Sequence, residues 1–219
     1  MGRGWYAPAD RPLTWTHRVE WATRTTGGVA SHRAAAVLWK LEGLSEYDLR
    51  RPMTPTGTNL LGLVKHLASV ELGYLGDVMG RPSGIPLPWY DDEENQPPNA
   101  DMFATAEESS AEIIELYRAA GRHSAATVAA LDLDAPGRVP WWGERGDVTL
   151  FQVLVHLTTE TYRHAGHADI VREYIDGAAG MRPGVDNLAE LDADGWERQY
   201  RELQAVAEGL RQEAGPDVS

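Results

Sequence analysis

The chain has 219 residues, a length that suits one domain with long loops and a tail, and its 24% charged and 42% apolar residues match an ordinary globular protein. It has no cysteine, which excludes disulfides, thiolate metal sites and a cysteine nucleophile: a metal must be held by nitrogen and oxygen, and any thiol must come from outside. The formal net charge of −13 argues against nucleic acid and anionic membrane surfaces as partners. With no signal-like apolar run in Met1 to Asp10 and no run near the ~18 apolar residues of a membrane span, the cytoplasm is expected.

Residues 1–28 carry Trp5, Pro8, Pro12, Trp15 and Trp21 and end in Gly27-Gly28, which predicts an irregular arm packed by its aromatics. Helix one is expected over 31–44, where Ala34, Val37, Leu38 and Leu41 recur at helical spacing. Pro52, Pro55 and Gly57 mark a loop. Helix two is expected over 58–79, with Thr58 as cap, Gly80 and Pro82 as stops, and Leu60, Leu63, Leu67, Val70 and Tyr74 facing inward. The stretch 81–104, rich in Pro, Asp and Asn, is long enough to be a lid or site wall.

Helix three is expected over 106–131, with Ile113, Leu116 and Val128 inward, followed by a loop over 132–148 that contains Pro140-Trp141-Trp142-Gly143. Helix four is expected over 150–176. Thr149 and Gln152 fit a capping box before it, and Gly177 ends it. A linker, 178–191, leads to a charged last helix over 192–213, expected to pack on the bundle through Trp196, Tyr200, Leu203 and Leu210. The expected architecture is all-α: the arm 1–28, a four-helix bundle over 29–177, and a linker with an extra C-terminal helix over 178–219.

The chemistry concentrates in helix four, which reads His156-Leu-Thr-Thr-Glu160-Thr-Tyr-Arg-His164-Ala-Gly-His167. On a helical wheel His164 points with the apolar face of Leu150, Val153, Leu157 and Val171, and Glu160 lies at its margin. Ionisable groups on an inward face need a partner or a metal. The i, i+4 spacing brings the two side chains together, as helical bundles do when they build metal sites. A third ligand must come from another helix, and His66 is the one histidine of helix two. Two nitrogens and one oxygen leave a coordination position open.

The residues alone also allow a plainer arrangement, with His66 a satisfied core histidine and Glu160–His164 a buried hydrogen-bonded pair. His156 also lies one turn from Glu160 and can replace either helix-four ligand. His167 falls behind the ligands or on the surface, and His123 is expected to face solvent.

Two stretches carry a family resemblance. Asn59 to Gly80, with His66 in Val-Lys-His-Leu-Ala, resembles the second helix of DinB-like metalloproteins, and Phe151 to Tyr174 resembles their fourth. The likeness covers roughly 30–176. It implies a DinB-like four-helix bundle in which one divalent metal is held by His66, Glu160 and His164, with Gly166 just beyond. Many members have His where this chain has Glu160. The His, Glu, His set is similar to that of mycothiol-dependent maleylpyruvate isomerase. The resemblance further implies a low-molecular-weight thiol, such as mycothiol, as substrate or cofactor, and a homodimer.

The expected activity is therefore metal-dependent thiol S-transfer or a thiol-assisted isomerisation of a small-molecule substrate. Metal-dependent hydrolysis and a non-catalytic metal-binding or stress-response role are the alternatives. Zinc is the first expectation for nitrogen and oxygen donors, with nickel, iron and manganese behind it. Arg163 and Arg172 are candidates to line the mouth for an anionic thiol. The loop 81–104 and Trp141-Trp142 are candidates to wall the pocket, or else they fill the core.

Overall fold

The computed structural model describes residues 34–91 and 95–213. The expected arm, 1–28, lies outside them. The chain divides into one unit through Asp186 and another from Asn187.

In the first unit α1 covers residues 34–38 and tightens into the 3-10 turn Trp39–Leu41. It stops short of residue 44 because Glu42 turns extended and Gly43 takes φ 77°, a left-handed conformation that suits glycine. A short helix, α2 (Glu46–Arg50), follows where no element is predicted. Ser45 caps it by accepting from the Asp48 N–H at 3.1 Å.

The long helix α3 runs over Leu60–Leu72 and continues as a π turn over Gly73–Asp77. Its cap is Asn59 rather than Thr58: the Asn59 side-chain oxygen accepts from the Gly62 N–H at 2.8 Å. It is buried on nearly every side, with Leu60, Leu61, Leu63, Val64, Leu67 and Ala68 all in the core. Each polar side chain on this helix therefore needs a partner.

The loop 81–104 contains a single-turn helix, α4 (Pro88–Asp91), and a 3-10 turn, Ala100–Met102. Helix α5 (Ser110–Ala130) begins four residues later than expected. Ser109 and Glu112 close a capping box there and fix the start. The span 132–148, expected as loop, holds an antiparallel pair, β1 (Pro136–Arg138) and β2 (Asp147–Thr149), around the 3-10 segment Pro140–Arg145. Helix α6 (Leu150–Asp176) has the predicted bounds, with the Thr149/Gln152 capping box at one end and Gly177 at φ 79° at the other.

The mostly α-helical DinB-like fold is thus present, with α1, α3, α5 and α6 as the bundle. Its apolar interior forms two clusters. One joins Val37, Leu41, Leu60, Leu67, Ile113, Tyr117, Ala168 and Val171. The other joins Tyr74, Leu75, Val139, Leu150, Val153 and Leu157. Along α6 the first cluster begins at Ala168 and the second ends at Leu157. Glu160 and His164 lie in the gap between them.

Two buried cations tie α1 to α6. Lys40 bonds Asp169 and the Gly180 carbonyl. Arg172 donates to the carbonyls of Lys40 at 2.8 Å and Glu42 at 3.0 Å while pairing with Asp176.

In the second unit a segment without regular secondary structure, 187–192, precedes α7 (Ala193–Glu213). Asp192 caps α7 by accepting from the Gly195 N–H at 2.8 Å. Trp196, Tyr200, Leu203 and Leu210 recur along it at one-face spacing. Among the described residues no helix is long and apolar enough to cross a membrane.

Candidate metal centre

Helix α3 presents His66 and α6 presents Glu160 and His164 to one point. A ligand atom from each lies within 4.8 Å of the other two. Glu160 Oε1 is the hub, 2.9 Å from His164 Nε2 and 3.4 Å from His66 Nε2. The two imidazoles meet edge to face with ring centroids 4.9 Å apart. His164 is buried, but the His66 and Glu160 side chains keep 18% and 21% of their exposure, so a small molecule can reach the cluster from their side.

The outer ring nitrogens are also held. His66 Nδ1 lies 2.6 Å from Asp101 Oδ2, and the Tyr90 hydroxyl donates to the same oxygen at 3.0 Å. His164 Nδ1 lies 3.3 Å from His167 Nδ1. A carboxylate behind an imidazole is a common support for metal-ligating histidine. Three N/O donors, one buried and two accessible, with a carboxylate backing one imidazole, fit a divalent cation with room for a further ligand.

The ionisable groups of the cluster shift one another's pKa values. Burial disfavours the charged form of His66, but the hydrogen bonds and charges of Asp101 and Glu160 outweigh it and raise its pKa. His164 moves the other way: burial, then the neighbouring charge of His66, lower its pKa against the pull of Glu160. Burial pushes the Glu160 carboxyl up, yet His164, His66 and Arg163 together hold it below the usual carboxylate range. Asp101 is likewise lowered, because His66 and Tyr90 overcome its burial.

Of the alternatives left open by the sequence, His156 lies outside the cluster. Its ring packs on Tyr74 and Trp142, at centroid distances of 4.7 and 5.0 Å, and burial lowers its pKa. His167 stands behind His164. His123 does not face open solvent: it is half-buried and its Nε2 bonds the Arg81 carbonyl at 2.8 Å. Arg172 does not line a mouth, since its guanidinium is consumed by the carbonyls at the end of α1 and by Asp176. Arg163 does border the site, 3.6 Å from Glu160 Oε1, and is exposed.

Next to the cluster stand Tyr74, Trp141 and Trp142. The Trp141 indole N–H donates to the Tyr74 hydroxyl at 3.3 Å while most of the Trp141 ring is exposed. Burial raises the Tyr74 pKa against its bonds to Trp141 and Trp142, and the Glu160 charge adds to the rise. Asp101 and Tyr90 escape sequence analysis. They lie in the irregular loop 81–104, where no periodicity singles out one acidic residue.

A family model described as mycothiol-S-transferase matches residues 26–177, well over half of the chain and the span of the DinB-like resemblance. No curated protein matches the chain. With a DinB-like bundle, its cluster of His66, Glu160 and His164, and this match in agreement, the chain belongs to the mycothiol-S-transferase family.

Proposed function

We propose that this protein joins a low-molecular-weight thiol, mycothiol by family, through its sulfur to an electrophilic small molecule, an S–C bond replacing the S–H bond as the electrophile takes up the proton or releases its leaving group, using one divalent cation held by His66, Glu160 and His164. The observation that carries this reading is the convergence of those three donors within 4.8 Å at an accessible point of a mycothiol-S-transferase-family bundle.

Each donor has a fitting form. Asp101 Oδ2 lies 2.6 Å from His66 Nδ1, and Nε2 is the nitrogen turned toward Glu160. Glu160 remains a carboxylate, which its lowered pKa favours. His164 contributes from the buried side. A bound cation, with zinc the first choice and nickel next, supplies Lewis acidity that holds a thiol as its thiolate near neutral pH. The protein has no cysteine, so the nucleophilic sulfur is external. Trp141 offers an exposed apolar face to the electrophile, and Arg163 offers a cation at the rim to an anionic group on thiol or substrate. A reduced thiol pool places this activity in the cytoplasm, and the same reading includes a homodimer.

Metal content by mass spectrometry, for the wild type and His164→Ala, tests the site. About one metal per chain, lost in the variant, is expected. Electrophile consumption with and without added mycothiol tests the reaction. A wild type that stays metal-free after reconstitution with zinc and nickel overturns the proposal. Turnover without thiol converts it to hydrolysis.

A further inference from the structure

We infer that Asp101 is a positioning residue that fixes His66 with its proton on Nδ1 and its Nε2 lone pair turned toward Glu160 and His164, and that Gly62 sets where Asp101 stands. The inference rests on His66 being a metal ligand, as proposed above, but concerns residues outside the cluster.

Asp101 sits in the 3-10 turn Ala100–Met102, which begins at Asn99 in a left-handed conformation, φ 58°. This turn is clamped onto the face of α3 that carries His66. The Met102 carbonyl lies so close to Gly62 that a side-chain carbon there would fall inside its contact distance. The Asn59 side-chain amide donates to the same carbonyl at 3.3 Å. One residue on, the buried Lys65 ammonium donates to the Phe103 carbonyl at 3.0 Å and pairs with Glu108 at 2.7 Å. Lys65 also lies 4.0 Å from the Trp89 ring centroid, and the Trp89 indole N–H donates to Ser69 at 2.9 Å.

Residues 59, 62, 65, 66 and 69 of a single helix therefore seat the loop, and the loop returns one carboxylate to that helix. The turn Ala100–Met102 is held against α3 by these bonds. The length of the loop is used to bring Asp101 within 2.6 Å of His66, with the Tyr90 hydroxyl holding the same oxygen from the other side.

The choice of nitrogen matters. A neutral imidazole has one N–H and one lone pair, and which nitrogen has which is set by the partner of the other. Without Asp101 the proton can settle on Nε2, where it meets Glu160 and blocks coordination. Gly62 acts at a distance: any larger residue must push the Met102 carbonyl, and Asp101 with it, away from His66.

Zinc affinity, read by competition with a chromophoric chelator, is compared for wild type, Asp101→Ala, Asp101→Asn, Tyr90→Phe and Gly62→Ala. The tautomer of His66 is read by nitrogen-15 NMR on the metal-free protein at a pH where imidazoles are neutral. Asp101→Ala is expected to weaken zinc roughly 10–100-fold and to mix the two tautomers. Asp101→Asn, whose carbonyl oxygen still accepts from Nδ1–H, is expected to keep the tautomer and lose less affinity. Gly62→Ala is expected to follow Asp101→Ala although it touches no ligand.

Unchanged affinity in Asp101→Ala, or lost affinity with an unchanged tautomer, overturns the inference. Should Asp101→Ala or Gly62→Ala fail to fold, Tyr90→Phe decides the matter: a partial loss of the Nδ1–H form supports it, and no change in tautomer or affinity overturns it. If the wild type itself takes no zinc, the ligand reading fails while the metal-free tautomer still reports on Asp101.

Discussion

Glu160 Oε1 lies 3.4 Å from His66 Nε2 although the two residues are 94 positions apart in the chain. This contact joins α3 to α6 through a polar bridge, and His164 adds a second bond to the same oxygen. Glu160→Gln keeps the volume and removes the charge. In this variant the His66 pKa should fall, because Glu160 is one of the two carboxylates that raise it. Metal affinity should fall by more than the roughly tenfold minimum seen when an outer partner is lost. Glu160→His, which restores a donor, should retain metal. Chelator competition and imidazole NMR titration read both effects.

The histidines give the metal-free protein a two-sided pH dependence. His66 has a raised folded pKa, so its contribution is full below the unfolded value of 6.5 and is lost as pH rises through the folded value. His164 and His156 have lowered folded pKa values, so folding loses stability from them as pH falls below 6.5. Urea unfolding at about pH 5.5, 6.5 and 8 should therefore show a decline from these residues on each side, and His156→Gln should reduce the acid-side slope. An acid-side slope that is the same in the variant would contradict the His156 assignment.

Arg172 is a structural staple. Arg172→Ala strips the end of α1 of its donor and leaves carbonyls and Asp176 behind, which should cost about 2–4 kcal/mol. For a chain of this size that lowers Tm by roughly 5–15 °C. Metal content per folded chain should not change. Calorimetry beside metal analysis separates this outcome from a role in thiol binding, which would leave Tm intact.

Trp141 should matter to substrate more than to stability, because 61% of its surface is exposed. Trp141→Ala should raise KM for an apolar electrophile by roughly 2–12-fold, the value of one aromatic contact, with kcat and Tm little altered. Steady-state kinetics with a fixed thiol concentration makes the measurement.

The bundle was legible because its signals are periodic. The i, i+4 pair Glu160–His164 on an apolar face, and one histidine on the other long inward helix, marked the candidates, and the family resemblance supplied the set of three that converge. Spacing alone did not separate His156 from His164, since both lie one turn from Glu160. That choice depends on the rotation of α6 against α3, which the packing of Leu157 and Ala168 into different clusters decides. The start of α5 was readable in Ser109 and Glu112, whose spacing fits a capping box. Asp101 was not readable: it lies 35 residues from His66 in a loop rich in acids, and close approach at Gly62 and bonds to backbone carbonyls place it.

The division of the described interior into two apolar clusters, with Glu160 and His164 between them, leaves Ala165 as the apolar contact of the middle of α6. Amide protons there should exchange with solvent sooner than those beside Leu154 to Leu157 and Ala168 to Val171. On the proposed metal reading, a cation seated at this waist would act as a rivet between two half-cores, and the rigidity of the molecule would follow metal supply.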